Sequence, residues 1–562
     1  MTAPGQGQAG TPAGKHNRRS WARSSAVRLV VAQVVVFLLF GPHLSMLLRD
    51  DTRLLYLWRT RDAVLMLGAM FLLALAGVAI GELARWVNRP SLTRLFNHAF
   101  VVALGAGLLA NLWYHTTRPV GYCLSRHGME IWTLWMLLIG LVVYSLARPS
   151  FKLVLRARQL CLIISPAVPI VAAQLLLQDT YSQGMDPIPE GSSVEALPVS
   201  DSANAARPVY LFFFDEWCYQ RTFENGALQP KFANLSKLAD RSVVFHNARS
   251  PGCWTLESIP RTLFQTDLPV VVSDGRAGFQ RDGRFIPSRK FESIFSVVGD
   301  RQYRTFMIGV YLPYRMLLGD QVDVCRSYCW FEYYRGENPL DHFIVHAFNA
   351  TAYWTDPWSR FLRGKIGERV GHVEGLQIYG SLNRDIMEVI ESQPGNTFAV
   401  FHYPLPHYPY LLNADGSYCG PEKGFMGSHR VYPGWEARFL EGYERNLAYL
   451  DRLIGRITAA LKGNGKFDRS LLILTSDHKW GRDPENETEW PHETYRHVPL
   501  FVKLPGQDRS LEVTSLFETR NLGSLIAWAL SADRGPAGLD RFLQRTLVST
   551  AGPGPHRELQ PK

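Results

Sequence analysis

The sequence is poor in cysteine and carries fewer acidic than basic residues. Seven cysteines among 562 residues exclude a disulfide-dense scaffold, and the absence of a C-x-x-C pair excludes a zinc ribbon. No internal repeat is present. The net charge of +10 does not indicate nucleic-acid binding, because much of the basic excess lies in the first third, between apolar runs, where it indicates membrane topology. We therefore expect no nucleic-acid partner.

Hydrophobic residues make up 46% of the chain, which excludes disorder, and the length exceeds that of one ordinary domain. Apolar residues cluster before Gln178, whereas the remainder has the composition of a soluble protein. Five apolar runs reach about 20 residues, or slightly fewer, which is the length that a membrane-spanning helix needs. A soluble cytoplasmic monomer is thereby excluded. The runs are Leu29–Leu48, Ala63–Ala84, Ala99–Tyr114, Ile131–Ala147 and Leu160–Leu177.

The first apolar run follows a basic N-terminal tail without acidic residues, so a cleaved signal peptide is an alternative to a retained anchor. The run is long and lacks a small-x-small cleavage site followed by polar sequence, which favours the anchor. The middles of the runs hold almost no ionisable side chains, which argues against a transporter.

Basic residues in the short loops predict the orientation of the spans. The N-terminal tail and the loops after the second and fourth runs are basic, and we expect them to be cytoplasmic. The loop after the first run, with four Arg against three Asp, is an exception. Five spans would place everything beyond Gln178 outside the cytoplasm. We expect a protein of the bacterial inner membrane whose C-terminal domain is periplasmic or otherwise extracytoplasmic.

The chain after the apolar runs begins with a segment rich in Pro, Ser, Gly and Asp, which is typical of a linker. Beyond it, strand-like runs alternate with amphipathic helical stretches, which predicts an α/β domain with a mostly parallel central sheet flanked by helices. The strand candidates are Val209–Phe214, Arg304–Val310, Thr397–His402, Ser470–Thr475 and Pro499–Leu504. The helix candidates are Pro230–Arg241, Leu256–Gln265, Glu436–Leu461 and Val513–Ser531. The expected divisions are a cytoplasmic tail (1–28), five transmembrane helices (29–178), a linker (179–208), the α/β domain (209–535) and a C-terminal tail (536–562).

Metal-ligand residue types follow three of the predicted strands. Functional groups collect just past the carboxyl ends of strands in doubly wound domains. Each of these residues, taken singly, could be a helix cap. A buried pair of carboxylates is costly without a partner, however, and metal-ligand residues at three strand ends together favour a divalent cation. The residues are Asp215 and Glu216 after the first strand, Asp477 and His478 after the fourth, and His402 with His407 after the third.

A fourth element is the Pro- and Gly-containing turn that leads to Thr255. A predicted helix begins there, so the hydroxyl lies at or near a helix N-terminus, where unbonded backbone N–H groups favour an anion. Thr255 could also be a simple N-cap, with Ser258 in the first turn. The two roles are compatible.

These residues and the five preceding runs resemble the sulfatase-like branch of the alkaline phosphatase superfamily. More narrowly, the chain is similar to the membrane-anchored transferases that include lipid A phosphoethanolamine transferases and lipoteichoic acid synthases. Those proteins have five spans followed by an extracytoplasmic catalytic domain. The resemblance covers nearly the whole chain and is loose between Asp267 and Gly395. It implies an alkaline-phosphatase-like fold for residues 209–535.

The resemblance implies a role for each motif residue. Thr255 falls at the nucleophile of a T-x-x-S-x-P pattern that ends at Pro260. Asp215 and Glu216 fall where the first metal carboxylates occur, and either or both could bind. The resemblance further implies Asp477 and His478 as metal ligands, His497 as a late histidine that binds metal or substrate, with His492 as its competitor, and His402 and His407 as substrate-side histidines with a catalytic role.

The sequence departs from the family pattern in two places. Family members usually continue Asp-His with Gly, whereas this chain has Lys479-Trp480-Gly481. True sulfatases need Cys or Ser in a C-x-P-x-R motif, and the segment Cys253–Glu257 lacks both the Pro and the Arg. This second departure argues against sulfate ester hydrolysis.

The chemistry implied by the resemblance is metal-dependent phospho-group transfer. Mixed oxygen and imidazole ligands suit Zn²⁺, with Mn²⁺ as the alternative. Thr255 would attack a phosphodiester of a phospholipid donor, and an envelope glycan or lipid acceptor would then take the phosphoethanolamine or phosphoglycerol group. His402, His407 and His497 would neutralise phosphate charge, transfer protons or hold a second metal. The alternatives are a phosphate or sulfate ester hydrolase and a non-catalytic protein for glycan binding or envelope assembly.

Overall fold

The structure is a computed structural model, and the chain divides into two compact units. One unit contains the N-terminal helices, and the other contains the predicted α/β domain. The expected span Ile131–Ala147 lies outside the described residues apart from residue 140, as do residues 179–206 of the linker and His492. The described residues are 25–48, 60–117, 140, 151–177, 207–273, 276–299, 303–328, 367–393, 395–420, 435–481, 493–531 and 536–549.

The N-terminal unit is helical throughout its described elements. Three helices contain stretches long and apolar enough to cross a membrane, namely Ser25–Ser45, Ala63–Trp86 and Pro90–Leu112. They correspond to the first three predicted spans and indicate a membrane-anchored protein. The helices are α1 (Ser25–Leu47), α2 (Thr60–Trp86), α3 (Pro90–Thr117), α4 (Phe151–Ile164) and α5 (Ala167–Leu177).

The fifth predicted span is a bent pair of helices. Helices α4 and α5 meet at an angle of 41° and count as one further span only if taken together. Pro166, between them, and Pro169 explain the break, since proline removes a backbone donor and clashes with the preceding turn. Lys152 and Arg156, which we expected in a loop, lie within α4. The described residues thus contain three candidate spans, or four with the bent pair, where five were expected.

The second unit is built on a nine-stranded sheet in the order β13-β4-β12-β11-β1-β10-β8-β9, with β14 also paired to β4. All its pairings are parallel except those of β12, which is antiparallel to both β11 and β4. This confirms the prediction of a mostly parallel sheet. Its strands are β1 (Val209–Phe214), β4 (Val243–Arg249), β8 (Arg304–Val310), β9 (Val324–Tyr328), β10 (Thr397–Tyr403), β11 (Leu471–Ser476), β12 (His497–Lys503), β13 (Leu511–Val513) and β14 (Phe517–Glu518).

Strand β1 is buried on both faces of the sheet. All six of its side chains are buried, and because side chains alternate along a strand, they enter two different cores. One core receives residues of the long C-terminal helix α11 (Trp435–Gly463), and the other receives residues of α8 (Thr255–Leu263) and α12 (Leu522–Ala529). The first core takes Tyr210, Phe212 and Phe214, and the second takes Val209, Leu211 and Phe213.

The remaining elements surround this sheet. The predicted helix over Val513–Ser531 begins only at Leu522, because Val513 pairs with Phe245 of β4. Part of the expected C-terminal tail is helical. The other helices are α6 (Tyr219–Thr222), α7 (Ala233–Ala239), α9 (Tyr314–Leu318), α10 (Gly367–Ser392) and α13 (Pro536–Ser549). The small sheets are β2 (Phe223–Glu224) with β3 (Ala227–Leu228), and β5 (Val270–Ser273), β6 (Arg276–Arg281) and β7 (Arg284–Pro287). The 3-10 helices are Ser288–Lys290, Ile294–Val298, Gly319–Gln321, Glu493–Arg496 and Thr519–Asn521.

Candidate active site

The sheet brings the predicted site residues to one edge. In the parallel register Phe214 pairs with Ser476, and Phe213 pairs with His402. The segments that follow β1, β10 and β11 therefore leave the sheet side by side. Because β12 runs the other way, its first residue, His497, lies at this same edge rather than at the far one.

Three buried side chains form a group that could hold a metal ion. One ligand atom each from Asp215, Asp477 and His478 lies within 4.8 Å of the others. His478 Nε2 is 3.7 Å from Asp215 Oδ1 and 3.5 Å from Asp477 Oδ2. Burial, and then the charges of Asp477 and Glu216, raise the pKa of Asp215 well above its usual value. Asp215 Oδ1 is buried and has no hydrogen-bond partner among the described residues, so the donor set fits a divalent cation.

Thr255 joins this group. It is the first residue of α8, and Trp254 occupies the N-cap position. The Thr255 hydroxyl donates to Asp477 Oδ2 at 2.7 Å and lies 3.3 Å from His478 Nε2. Ser258, one turn later on the same face of the helix, donates to the backbone carbonyl of Asp477. The two hydroxyls of the T-x-x-S pattern thus attach the start of α8 to the segment after β11.

The orientations of Asp477 and His478 are fixed by their own backbone surroundings. Asp477 Oδ1 accepts hydrogen bonds from the backbone N–H groups of His478 (2.8 Å) and Glu216 (3.2 Å). This leaves Oδ2 directed to Thr255. His478 Nδ1 lies 2.9 Å from the carbonyl of Lys479, and because a carbonyl only accepts, Nδ1 carries the proton. The lone pair of Nε2 therefore faces the acidic group, as a metal ligand requires.

Glu216 lies beside the three-residue group without belonging to it. Its backbone has φ 63°, a left-handed conformation that is uncommon for a residue other than glycine. Its carbonyl accepts from the Tyr443 hydroxyl at 2.8 Å, and its Oε1 lies 3.4 Å from the Gly481 backbone nitrogen. Its Oε2 is buried, and no residue in the described part of the chain pairs with it. The turn after β1 thus presents Asp215 to the cluster and holds Glu216 alongside.

His402 is fully buried at the end of β10. Its Nδ1 lies 3.0 Å from the Val310 carbonyl and 2.6 Å from the Tyr314 hydroxyl. The carbonyl requires a donor, so Nδ1 carries the proton and Nε2, which is buried without a partner, carries the lone pair. Burial lowers the pKa of His402 to about 4, which keeps the ring neutral at pH 7.

Tyr314 is a site residue that the sequence did not indicate. It is fully buried in α9, and burial first, then the charges of Asp477 and Asp215, raise its pKa. A Cβ on Gly309 would lie 2.7 Å from Tyr314 Cε2 and 2.9 Å from His402 Cβ. The sequence feature that could have indicated this contact is Gly309, because a glycine inside a strand often marks the close approach of another group.

His407 lies in the loop after β10, next to the first strand. Its backbone N–H donates to the carbonyl of Asp215 at 3.0 Å, and its Nδ1 contacts the carbonyl of Tyr408. Asn446 of α11 donates to the carbonyls of His407 (3.1 Å) and Pro406 (3.3 Å). Hydrogen bonds therefore connect the loop that carries His407 both to the turn after β1 and to helix α11.

His497 lies at the same edge but outside the three-residue group. Its ring stacks on Tyr219 with centroids 4.2 Å apart, its Nε2 lies 2.9 Å from the His246 carbonyl, and its Nδ1 lies 3.2 Å from Gln220 Nε2. Both ring nitrogens are therefore engaged by described residues. Burial lowers the pKa of His497. Its expected competitor, His492, lies outside the described residues.

Comparisons with known proteins give the family of the chain. The family model named Sulfatase matches residues 211–522, which is more than half of the chain. No curated protein matches the sequence. Among solved structures, the phosphonate monoester hydrolase of Agrobacterium radiobacter is 16% identical with a TM-score of 0.37, and the match covers 62% of this chain and 79% of that one.

Two further solved structures have similar values. The lipoteichoic acid synthase LtaP of Listeria monocytogenes is 13% identical with a TM-score of 0.36 over 61% of this chain and 76% of that one. An alkaline phosphatase superfamily protein of Vibrio parahaemolyticus is 13% identical with a TM-score of 0.35 over 58% of this chain and 66% of that one. On the extent of the family match, the chain belongs to the sulfatase family and is an enzyme.

Proposed function

We propose that the protein is a membrane-anchored transferase that moves a phosphoethanolamine- or phosphoglycerol-type head group from a phospholipid to an envelope glycan or lipid. Family membership gives an enzyme that acts on phosphate or sulfate esters, and the non-catalytic alternative is therefore not pursued. One observation carries the finer proposal. The hydroxyl of Thr255 donates to Asp477 inside a buried acid–histidine group, which is the arrangement that an activated nucleophile requires.

The metal of the proposed reaction is held by Asp215, Asp477 and His478, beside the oxygen of Thr255. We propose Zn²⁺, with Mn²⁺ as the alternative, because the donors are two carboxylates and one imidazole. When bound, such a cation lowers the pKa of a neighbouring hydroxyl and neutralises phosphate charge. Glu216, whose Oε2 is buried without a hydrogen-bond partner next to this group, is a further candidate ligand.

The residues of the chain perform two displacements in this proposal. Thr255 Oγ1, which lies 2.7 Å from Asp477 Oδ2, gives up its proton to water and attacks phosphorus. The bond from phosphorus to the lipid alcohol oxygen breaks, and phospho-threonine forms. The acceptor hydroxyl then attacks phosphorus, Thr255 leaves and recovers its proton. In this proposal His407 donates a proton to the lipid alcohol oxygen as it leaves, His402 Nε2, which carries a lone pair in a neutral ring, accepts the proton of the entering acceptor hydroxyl, and both rings then exchange protons with water.

The lipid character of the donor is supported by two observations. Among the described residues from 207 onward, the exposed large hydrophobic side chains are Trp254 (41% exposed), Leu256 (38%) and Tyr418 (40%). The first two flank Thr255 directly, and water-facing apolar side chains next to a nucleophile suit an amphiphilic substrate. The same chain also carries helices of membrane-spanning character. The basic loops of the sequence favour the bacterial inner membrane, with this domain in the periplasm.

The covalent intermediate tests the proposed function. Purified full-length protein in detergent is incubated with Zn²⁺ or Mn²⁺ and phospholipids labelled in the head group, and the peptide bearing Thr255 is analysed by mass spectrometry. We expect a head-group phosphate on Thr255, and Thr255→Ala should lose both the adduct and turnover. Unimpaired turnover by Thr255→Ala would end the mechanism. Release of all label to water, in the presence of envelope acceptors, would instead identify a hydrolase.

A further inference from the structure

Three arginines from three helices gather around one carboxylate in the N-terminal unit. Arg28, in the first turn of α1, pairs with Glu82 of α2 at 2.8 Å, and Arg85, in the last turn of α2, pairs with the same carboxylate oxygen at 2.9 Å. Arg158 of α4 lies near enough for its charge to interact with those of Arg85 and Arg28. Three positive charges therefore share one negative charge at this end of the helices.

Helix packing accounts for the position of Arg158. Ala157, the residue before it, is buried in one apolar cluster with Val31 of α1. Val31 lies one turn after Arg28 on the same helix face, so the contact that joins α1 to α4 also brings the two arginines together. Among the residues that the structure describes, no carboxylate pairs with Arg158, and Arg28 Nε is buried without a hydrogen-bond partner.

The sequence of the N-terminal helices supplies no other acid at this end. Glu82 is one of five acidic residues before Asp179. Three of the others lie between the end of α1 and the first turn of α2, which is the opposite end of both helices, and the fourth follows the far end of α3. They are Asp50, Asp51, Asp62 and Glu130. The excess of positive charge around Glu82 therefore calls for an anion from outside these helices.

The surroundings of the cluster indicate that this anion belongs to a lipid. Trp86, one turn after Glu82, is 82% exposed, and Leu155, one turn before Arg158 on the same face of α4, is also exposed. Helix α2 has the length and hydropathy of a membrane span, and α4 has them together with α5. Exposed tryptophan at the end of an apolar helix is typical of the head-group level of a membrane, where basic clusters between helices bind anionic head groups.

We propose that Arg28, Arg85 and Arg158 bind the phosphate of an anionic phospholipid, in the leaflet that the basic loops predict to be cytoplasmic. Guanidinium groups offer paired N–H donors that match phosphate oxygens. The Glu82 carboxylate orients two of the three groups and neutralises only one charge. The proposed transfer reaction takes its donor from the opposite leaflet, so this lipid is not the donor, and the site does not depend on the proposed function.

Lipid binding by variants tests the proposal. Full-length protein in detergent receives phosphatidylglycerol or phosphatidylcholine with the same acyl chains, and native mass spectrometry measures the bound fraction. We expect the wild type to prefer phosphatidylglycerol. Arg158→Gln should weaken the apparent affinity for phosphatidylglycerol by about fivefold, which is the effect of one arginine near an anionic surface. Glu82→Gln should strengthen it, because glutamine keeps an acceptor for Arg28 and Arg85 but removes the charge that competes with phosphate.

Arg156→Gln is the matched control. It removes the same charge from an exposed position of the same helix, two residues from Arg158, and should bind phosphatidylglycerol as the wild type does. An equal loss in Arg156→Gln and Arg158→Gln would show that only the net charge matters and would overturn the site. Weaker binding in Glu82→Gln, at a Tm equal to that of the wild type, would likewise contradict it, because the ion pairs would then serve helix packing alone.

Inorganic phosphate separates a lipid ligand from a dissolved one. The phosphatidylglycerol titration is repeated in inorganic phosphate and in chloride at equal ionic strength. Equal binding in the two salts supports the lipid assignment. Loss of bound phosphatidylglycerol in phosphate alone would show that the arginines take a dissolved anion, and the lipid assignment would be wrong. Labelling of Thr255 is a separate measurement, so failure of the transfer reaction leaves these results unchanged.

Discussion

Among the residues that the structure describes, the buried atoms without a hydrogen-bond partner at one edge of the sheet include Asp215 Oδ1, Glu216 Oε2 and His402 Nε2. Each belongs to a side chain that follows or ends a parallel strand. Buried polar atoms are nearly always paired in folded proteins. A concentration of exceptions at the place where Thr255 meets Asp477 is therefore evidence for ligands at this edge rather than for poor packing.

The burial of His402 predicts a pH dependence of stability. Its pKa is lowered from 6.5 to about 4, so between these values the unfolded chain binds a proton that the folded chain does not. Stability is therefore lost as the pH falls through this window, by about 2 kcal/mol at pH 5 for this group. We expect the fall in unfolding free energy from pH 7 to pH 5 to be smaller by that amount in His402→Gln. Identical pH profiles of the two proteins would show that the ring is not held neutral.

At the scale of elements, the sequence predicted best the strands that are buried on both faces. Strands β1 and β8 have the predicted bounds, β10 ends one residue later than predicted, and β11 is shifted by one residue at both ends. The agreement is close because a buried parallel strand is a continuous apolar run between polar residues. Strand β4 was missed, since its second half, His246–Arg249, is largely polar. Strands β13 and β14 are too short to show a pattern and depend on pairing with β4.

The candidate site was predictable to the extent that it is carried by local motifs. Thr255, Asp477 and His478 stand in short patterns next to element ends, and the structure brings them together. Tyr314 contacts His402 from 88 positions away, and no local pattern links two such residues. The left-handed backbone of Glu216 is likewise not visible in the sequence. The sequence alone therefore could not show that Asp215, and not Glu216, belongs to the group that could hold a metal ion.

The turn before α8 has little room for added atoms. A Cβ on Gly252 would lie 2.7 Å from Glu257 Cβ and 2.9 Å from the Ser258 backbone nitrogen. We expect Gly252→Ala to displace the start of α8, to destabilise the fold by about 1–3 kcal/mol and to lower turnover through Thr255. Gly380→Ala is the control, because this exposed position within α10 has open space around it and alanine favours helix. Equal activity and Tm in both variants would contradict a tightly fitted turn.

The apolar pair at the start of α8 predicts a preference for long-chain donors. Trp254→Gln and Leu256→Gln should each lower the ratio of kcat/KM for a long-chain phospholipid to that for a short-chain, water-soluble analogue. Roughly tenfold is expected, equal to about 1.4 kcal/mol of apolar contact. Trp254→Phe and Leu256→Met keep an apolar surface and should keep the ratio. A wild-type ratio near one would contradict the proposed contact between these side chains and the lipid, but it would not contradict the proposed reaction.

For the whole molecule, the central observation is that an ester-processing domain and helices of membrane-spanning character lie on one chain. Tethering raises the effective concentration of substrates that reside in the same membrane. This consideration supports the proposed lipid donor over a dissolved ester. We accordingly expect the full-length protein to stay with the membrane after washing at high salt and alkaline pH.

Metal removal tests the whole catalytic unit, because two buried carboxylates lie close together in its centre. Asp215 and Asp477 are buried near each other, and without a cation their repulsion opposes folding. A metal at one hundred times its Kd stabilises the folded state by about 2.7 kcal/mol, so chelation should lower Tm and stop turnover, and added Zn²⁺ or Mn²⁺ should restore both. Asp477→Asn should lose the response. Asp468→Asn, which alters an exposed partner of Arg241, should keep it, and a Tm unaffected by chelation in the wild type would mean that these carboxylates hold no metal.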